Sequence, residues 1–448
     1  MGASMSTFPS PPLLSHQHLP SGFHRRYRQS FPAWIFSRLG DLIPSTLPYL
    51  QFRDPPRRWT SDHHPTGMTH TTPVIVNVEG SSDHGSALKE QIQSLPKDTK
   101  YLEVEGDTPS DVEWSILGSH FSNVERLILR AGYNENLNDK GIPLHWPLQK
   151  LEIVDSASEV FKSPFVLEGR VSHLSLFFTC GLRFEGLTSD EIKCEHDEAI
   201  ERGDVQAEYI SLHEGTPEEK KLKFTYLPEL VSSHINKIYA DPERGQKEPP
   251  AGPVNLETLE IWENDAIDTF NRMAISLPHQ VDHLRTLRIR STGGMDFYYT
   301  HESVFREVLP QLTNLQTLIL SVGDIFNDPS YLPTLYKVLP PNLTELYFRG
   351  PSSLCQSTEW SEWVQAFESR EFLPNLQKLA FVLDLHWEKE ENFWKKDGPA
   401  PAALLDQARS ACQPIYDIAK RRDISVVDMP AEPKSALLRP VDERWSQG

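Results

Sequence analysis

The chain has 448 residues, of which 38 % are hydrophobic, so it is long and apolar enough to bury a large core within one extended domain. Its 44 basic and 63 acidic residues give a formal net charge of −19, and a surface this acidic should repel nucleic acids and anionic lipids. No apolar run approaches the roughly 20 residues of a membrane-spanning helix. We therefore expect neither nucleic acid nor a membrane as a partner.

The cysteines are far apart, with no CxxC pair and no dense framework. They are Cys180, Cys194, Cys355 and Cys412. This usage is typical of a reducing compartment, and it favours the cytoplasm or the nucleus.

Residues 1–70 differ in composition from the rest of the chain. They contain ten prolines and seven arginines but no lysine or glutamate, and with three aspartates their net charge is +4. This composition, rich in proline and arginine, predicts a disordered segment. A mitochondrial targeting peptide is a second interpretation, since such peptides are rich in arginine and poor in acids, although the prolines interrupt any amphipathic helix. In a third interpretation, Met68 marks the start of the ordered sequence.

A weak repeat begins just after this segment. Alternating apolar residues predict strands within residues 72–78, 99–104, 123–129, 147–153 and 171–176. A first helix is predicted from Ser82 to Leu95, and a second from Val112 to Leu117. The later strands are only 24 and 23 residues apart, which predicts loops or 3₁₀ turns between them.

The repeat then lapses for 85 residues, between Val171 and Leu256. We interpret residues of about 188–253 as an acidic insertion, with one degenerate strand at 208–212 and one helix from Leu227 to Ile238. Insertions in solenoids form loops on one face, which is often a binding face. A solvated variable loop is the alternative interpretation.

The repeat is clearest from Leu256 to Leu379, where one phrase occurs as VNLETLEI, DHLRTLRI, TNLQTLIL, PNLTELYF and PNLQKLAF. Its first leucines are 28, 31, 28 and 33 residues apart, and periods of this size mark solenoids. Apolar residues occupy positions 1, 4 and 6, so the last two alternate as in a half-buried strand. Apolar residues at helical spacing follow each phrase, and four Leu-Pro pairs are predicted to end these helices because proline cannot continue a helix.

The carboxyl-terminal part is interpreted as a cap. A helix is predicted from Ala400 to Arg422 with an interruption at Pro414, and a strand is predicted within residues 422–428. Solenoids need atypical terminal units to cover an open core. Residues 430–448 are predicted to be a flexible tail.

These patterns predict an α/β fold, a curved leucine-rich-repeat solenoid over residues 71–429, with parallel strands on its concave face and helices and loops outside. If positions 1, 4 and 6 point into the core, positions 3, 5 and 7 project from the concave face. Aromatic and arginine side chains there match the residue types that dominate interfaces. The candidate partner-binding residues are Glu260, Trp262, Arg288, Arg290, Glu345, Tyr347 and Arg349.

In this hypothesis, Arg288 and Arg290 bind a carboxylate-bearing protein segment. Trp262 and Tyr347 are exposed and supply apolar contact. In the alternative, the aromatic side chains pack against neighbouring loops, and the arginines pair with Glu260 and Glu345.

The repeats and the closing KRRDISVV resemble the irregular leucine-rich-repeat region of fungal F-box proteins, over about residues 71–429. The resemblance implies an F-box before the repeats, a helical segment that docks a ubiquitin-ligase adaptor. The candidate is Phe31–Trp59, which opens with an aromatic-proline pair and closes with Arg-Arg-Trp, but it is short and contains prolines where helices should run. The consensus asparagine at position 9 occurs only at Asn264, so we expect irregular turns after the strands.

No catalytic motif stands out, since GxSxG, GxGxxG, HExxH and phosphate-binding glycine loops are all missing. Cys194–Glu198 has metal-ligand residue types, but it lacks a second cluster at usable spacing and is interpreted as a solvated charge run. We expect no metal and no cofactor. The function that the sequence favours is a noncatalytic protein-interaction scaffold. The alternatives are an F-box-type substrate receptor and an enzyme whose site lies in the insertion.

Overall fold

A computed structural model describes residues 72–80, 85–130, 137–154, 160–179, 184, 252–263, 266–291, 302–322, 331–385 and 401–430. For residues 209–211 and 220–222 it describes the backbone. The interpretations of residues 1–70, of Cys194–Glu198, of the helix from Leu227 to Ile238 and of Asn264 lie outside these ranges.

Eleven strands form one sheet in which every neighbouring pair is parallel. In spatial order they are β1 (Val74–Val78), β2 (Tyr101–Gly106), β3 (Arg126–Arg130), β4 (Lys150–Val154), β5 (His173–Phe177), β8 (Thr258–Glu263), β9 (Thr286–Ser291), β10 (Thr317–Val322), β11 (Glu345–Pro351), β12 (Lys378–Leu385) and β13 (Ser425–Val426). The sheet does not close, because β1 and β13 are its two edges. The predicted α/β arrangement with parallel strands is confirmed.

A continuous row of leucines at position 4 fixes the register of the strands. Each leucine lies beside the next in the paired strands, and none of the nine is more than 1 % exposed. The row consists of Leu102, Leu127, Leu151, Leu174, Leu259, Leu287, Leu318, Leu346 and Leu379. Position 6 is also buried in each of these strands, so the leucine face of the sheet forms the core with the connecting segments.

The connections are longer on the carboxyl-terminal side of the sheet, as the repeat spacing predicts. The α-helices are α1 (Ser86–Ile92), α2 (Asp111–His120), α3 (Pro164–Leu167), α4 (Ala266–Ser276), α5 (Pro278–Val281), α6 (Glu302–Val308), α7 (Trp360–Glu368) and α8 (Ala402–Arg421). The 3₁₀ segments are Asp139–Gly141, Leu309–Gln311, Leu332–Val338 and Ser352–Gln356. No helix among the described residues is long and apolar enough to cross a membrane.

Local chemistry explains where several helices begin and end. Ser110 and Glu113 form a capping box at the start of α2, in which the Ser110 hydroxyl accepts from the Glu113 N–H and the Glu113 carboxylate accepts from the Ser110 N–H. The helix α4 ends before Leu277-Pro278, and Pro278 begins the short helix α5. Two connections differ from the prediction. Leu332–Val338 is a 3₁₀ helix rather than an α-helix, and the predicted loop or 3₁₀ turn between β4 and β5 contains the short α-helix α3.

The carboxyl-terminal unit contains the predicted helix and strand, but the predicted interruption at Pro414 is wrong, because α8 continues through this residue. Helix α8 contains Pro414 in its interior and packs against β12, and β13 adds two residues to the edge of the sheet. Arg422 fixes this unit, since its guanidinium donates to the carbonyls of Phe367, Phe372 and Leu373. The strand is shorter than predicted, covering Ser425–Val426 within the interval 422–428.

The opposite edge of the sheet is protected by side chains. In the orientation that satisfies both groups, the Gln91 amide pairs with the N–H and the carbonyl of Asn77 on β1, each at 3.1 Å. The Glu113 carboxylate accepts from the N–H of Glu79, just beyond β1. These bonds occupy backbone groups that an edge strand would otherwise offer to another chain.

The strand predicted at residues 208–212 is present, but it is not a degenerate repeat. It forms β6 (Tyr209–Ser211), which pairs antiparallel with β7 (Lys220–Leu222) in a separate two-stranded sheet. The physical reason is that β5 and β8 pair directly with each other, so no edge is free between them.

The polar face of the sheet

The second face of the sheet carries positions 3, 5 and 7 of the strands, and we call it the polar face. From β2 to β12 it holds seven lysines and arginines and five glutamates at these positions, so it is net positive on a chain of charge −19. The cations are Arg126, Arg130, Lys150, Arg288, Arg290, Arg349 and Lys378. The anions are Glu103, Glu105, Glu152, Glu260 and Glu345. All seven candidate residues from the sequence lie on this face.

Trp262 does not have the exposure that the sequence hypothesis requires. It is 1 % exposed, because its ring packs edge-on against Phe177 of β5 at 5.7 Å and joins a small apolar cluster with Val154 of β4 and Ile128 of β3. Its indole N–H has no acceptor among the described residues. The prediction of an exposed Trp262 is therefore wrong, since the polar face contains an apolar cluster of its own.

Arg290 is also buried, at 1 % exposure, so the prediction that it is an accessible anchor is wrong. Its guanidinium lies 5.4 Å from the centre of the Trp262 ring. Arg288 lies closer to the same ring, at 4.6 Å, and forms an ion pair of 3.4 Å with Glu260. The tryptophan and the two arginines thus form one packed group, stabilised by cation–π contacts.

Glu260 lies at the centre of a hydrogen-bonded group. Its carboxylate accepts from Ser175 Oγ at 2.9 Å, lies 3.1 Å from His173 Nε2, and pairs with Arg288. Burial alone would raise the pKa of Glu260, but the hydrogen bond and charge of His173, with the charges of Arg288 and Lys150, hold that pKa well below its usual range. Glu260 is therefore a buried anion that organises the cations around it.

The same group has the residue types of a nucleophilic triad but not the geometry. In such a triad the serine hydroxyl bonds to the imidazole, and the imidazole bonds to the carboxylate. Here the Ser175 hydroxyl donates to the same carboxylate oxygen that His173 contacts, and Ser175 is fully buried. Ser175 therefore cannot serve as an accessible nucleophile in this arrangement.

The other three candidate residues form a separate group on β11 and β12. Tyr347 donates to Glu345 at 2.9 Å, and Lys378 pairs with the same glutamate at 2.8 Å. Burial, together with the bond to Glu345, raises the pKa of Tyr347 to about 12. Arg349 makes two bonds to Asp384, at 2.7 and 2.8 Å. Arg288 and Arg349 therefore pair with carboxylates of the same face, as the alternative interpretation expects. Arg288 pairs with Glu260, but Arg349 pairs with Asp384 rather than with a glutamate.

Position 3 of the amino-terminal strands carries a set of residues that the sequence analysis did not select. These residues are Tyr101, Arg126, Lys150 and His173, on β2, β3, β4 and β5. All four are partly exposed. The sequence could have identified them, because the same four residues occupy position 3 of the weaker repeat phrases.

A groove of about 1020 Å³ runs beside the starts of the strands and is lined mainly by amide and hydroxyl side chains. Asparagines one residue before position 1 hold the turns there: Asn255, Asn314 and Asn342 each donate to a backbone carbonyl of the preceding repeat. This regular set lies at the strand starts, whereas position 9 lies after the strands. The turns before these three strands are therefore held by the same kind of asparagine hydrogen bond.

The described residues contain no group of three histidine, cysteine, aspartate or glutamate side chains placed to hold a metal ion. A scan against protein-family models finds no family that matches the chain, and a search of curated proteins finds no similar sequence.

Proposed function

We propose that this chain is a noncatalytic protein-binding scaffold, a curved leucine-rich-repeat solenoid whose polar face receives the partner. The observation that supports the proposal most directly is the polar face itself. Nine neighbouring strands share one register, and eight of them, all except β10, carry at least one aromatic, arginine or lysine side chain on this face. Residues of these types dominate the energetics of protein interfaces.

The charge of the face supports a protein partner. The face is net positive whereas the whole chain carries −19, and complementary potentials guide the association and orientation of partners. The free thiols of Cys355 and Cys412 agree with action in the cytoplasm or the nucleus.

The proposal is tested by blocking the middle of the face. Thr286 and Thr317 are adjacent, half-buried position-3 residues on β9 and β10, and replacing both by arginine adds two long side chains there. The matched control is Ser361→Arg with Gln365→Arg, which adds the same charge at exposed positions of α7. Affinity purification with mass spectrometry should recover the same proteins with the wild type and the control and lose them with the face variant, at unchanged melting temperature. Identical recovery by all three proteins would contradict the proposal.

The same experiment separates the F-box alternative. A chain that starts at Met68 lacks Phe31–Trp59, and on our proposal it still recovers the partners of the polar face. Recovery of a ubiquitin-ligase adaptor by the full chain, but not by the shorter one, would instead support the substrate-receptor function.

A further inference from the structure

Tyr101, Arg126, Lys150 and His173 form a straight row across four adjacent strands, which we call the amino-terminal row. Each residue lies beside the next in the strand register. Adjacent strands are about 4.8 Å apart, so the row is about 14 Å long. That length matches about four residues of an extended peptide, at roughly 3.3 Å per residue.

The cations of this region lie nearer to solvent than the carboxylates that pair with them. The side chain of Arg126 is 39 % exposed, whereas that of its partner Glu152 is 11 % exposed. Arg130 shows the same relation to Glu103, at 39 % and 9 %. On β2 to β4 this face carries three cations and three glutamates, and in these ion pairs the cation is the more exposed partner.

Arg126 is held in a fixed orientation with donors left for a ligand. Its Nε and Nη2 donate to Glu152, and its guanidinium stacks on the Tyr101 ring at 4.3 Å from the centroid. Its Nη1 has no acceptor among the described residues. A guanidinium fixed by a carboxylate and a ring loses little entropy when it binds a second carboxylate.

Tyr101 and Lys150 add two further donors on either side of Arg126. Burial raises the pKa of Tyr101 to about 12, so its hydroxyl stays protonated, and this hydroxyl makes no hydrogen bond to the described residues. The Nζ atom of Lys150 lies 3.4 Å from Oε1 of Glu152. An ammonium group has three N–H donors, so Lys150 can pair with Glu152 and also donate to a ligand.

We infer that the amino-terminal row binds a short acidic segment of a protein partner, whose carboxylates accept hydrogen bonds from Tyr101, Arg126 and Lys150. This inference rests on the proposed function and names the partner chemistry for one end of the polar face. The net charge of −19 favours a short protein segment over a nucleic acid, because a long polyanion would be repelled by most of the surface of the chain.

The test uses a fluorescently labelled, capped tetraglutamate as probe and a tetraglutamine peptide as its neutral match. Fluorescence anisotropy with the full chain should show binding of the tetraglutamate, weakened at about 0.5 M salt, and no binding of the tetraglutamine. The variant Arg126→Gln with Lys150→Gln should weaken binding of the tetraglutamate by about tenfold or more. Tyr101→Phe removes only the hydroxyl and should weaken it by about threefold.

The matched control is Lys337→Gln with Arg421→Gln, which removes two cations that also pair with glutamates, on another part of the surface. It should bind the tetraglutamate like the wild type. The inference would be overturned if both double variants lost binding equally, or if the wild type did not bind the tetraglutamate. It would also be overturned if the wild type bound a uridine oligonucleotide instead of the peptide, and the variant Arg126→Gln with Lys150→Gln did not bind that oligonucleotide. The proposed function is tested separately by the variant Thr286→Arg with Thr317→Arg. If that variant no longer recovers partner proteins while the peptide experiment fails, the proposed function stands and only this inference is wrong.

Discussion

The leucine face and the polar face of the sheet are buried in different ways. On the leucine face, positions 4 and 6 are buried in all nine strands of the main sheet from β2 to β12. On the polar face, exposure ranges from 0 % for Ser175 and 1 % for Trp262 to 49 % for the side chain of Lys378. The leucine face is uniform because each strand adds the same kind of apolar residue to one shared core. The polar face is not uniform, because the burial of each residue there depends on its particular neighbours.

This difference shows what an alternating strand pattern determines. Alternation decides which side of the sheet a side chain is on, and it does so for both faces. It does not decide how deeply a side chain is buried on the side away from the main core. Trp262 is buried there because Phe177 packs beside it on β5, and Val154 on β4 and Ile128 on β3 continue the same apolar cluster.

The largest effect that would test this comparison is expected at Trp262. Because its ring is fully buried and contacts Phe177 and two arginines, Trp262→Ala should reduce the free energy of unfolding by about 3 to 5 kcal/mol. Chemical denaturation measures the loss. A cost below about 0.5 kcal/mol would mean that the side chain is exposed, and would restore Trp262 as a contact residue.

The leucine face is tested at Leu318, in the middle of the row. Leu318→Ala should cost about 2 to 5 kcal/mol, because the leucine is fully buried between Leu287 and Leu346. Ile319→Ala is the control on the next residue of β10, which lies on the polar face and is only partly buried. Its cost should be smaller by at least about 1 kcal/mol. Equal costs for the two variants would show that the two faces are buried alike.

The parts of the structure that the sequence predicted are those fixed by short-range pattern. The leucine row, the strand positions and the long carboxyl-terminal helix all follow from spacing and from residue type. The pairing of Glu260 with His173 was not predictable, because the two residues are 87 positions apart in the chain and meet only through the pairing of β5 with β8. The candidate residues were therefore placed on the correct face, while the accessibility of Trp262 and Arg290 was wrong.

Glu260 tests the polar face through pH. Glu260→Gln should lower the free energy of unfolding by about 1 to 3 kcal/mol at neutral pH, because the charged carboxylate accepts two hydrogen bonds and pairs with Arg288. The folded-state pKa of Glu260 lies below its ordinary value of 4.5, so this stabilisation is fully present above pH 4.5 and is lost as the pH falls from there toward the folded-state pKa. Denaturation of both proteins at about pH 7, 5 and 3.5 should show a difference that shrinks only at the lowest pH. A difference that stays constant would mean that the carboxylate charge is not what stabilises the group.

The smallest effect is expected at the exposed end of the polar face. Lys378 pairs with Glu345, but its side chain is 49 % exposed, and Glu345 keeps its hydrogen bond from Tyr347 when the lysine is removed. Lys378→Gln should therefore cost about 0.5 kcal/mol or less, and the cost should vanish at high salt. Asp384→Asn is the comparison, because Arg349 is only 13 % exposed and makes two bonds to that carboxylate. Its cost should be about 1 kcal/mol or more and should change little with salt. If urea unfolding gives the same small, salt-sensitive cost for both variants, depth of burial does not determine the strength of ion pairs on this face.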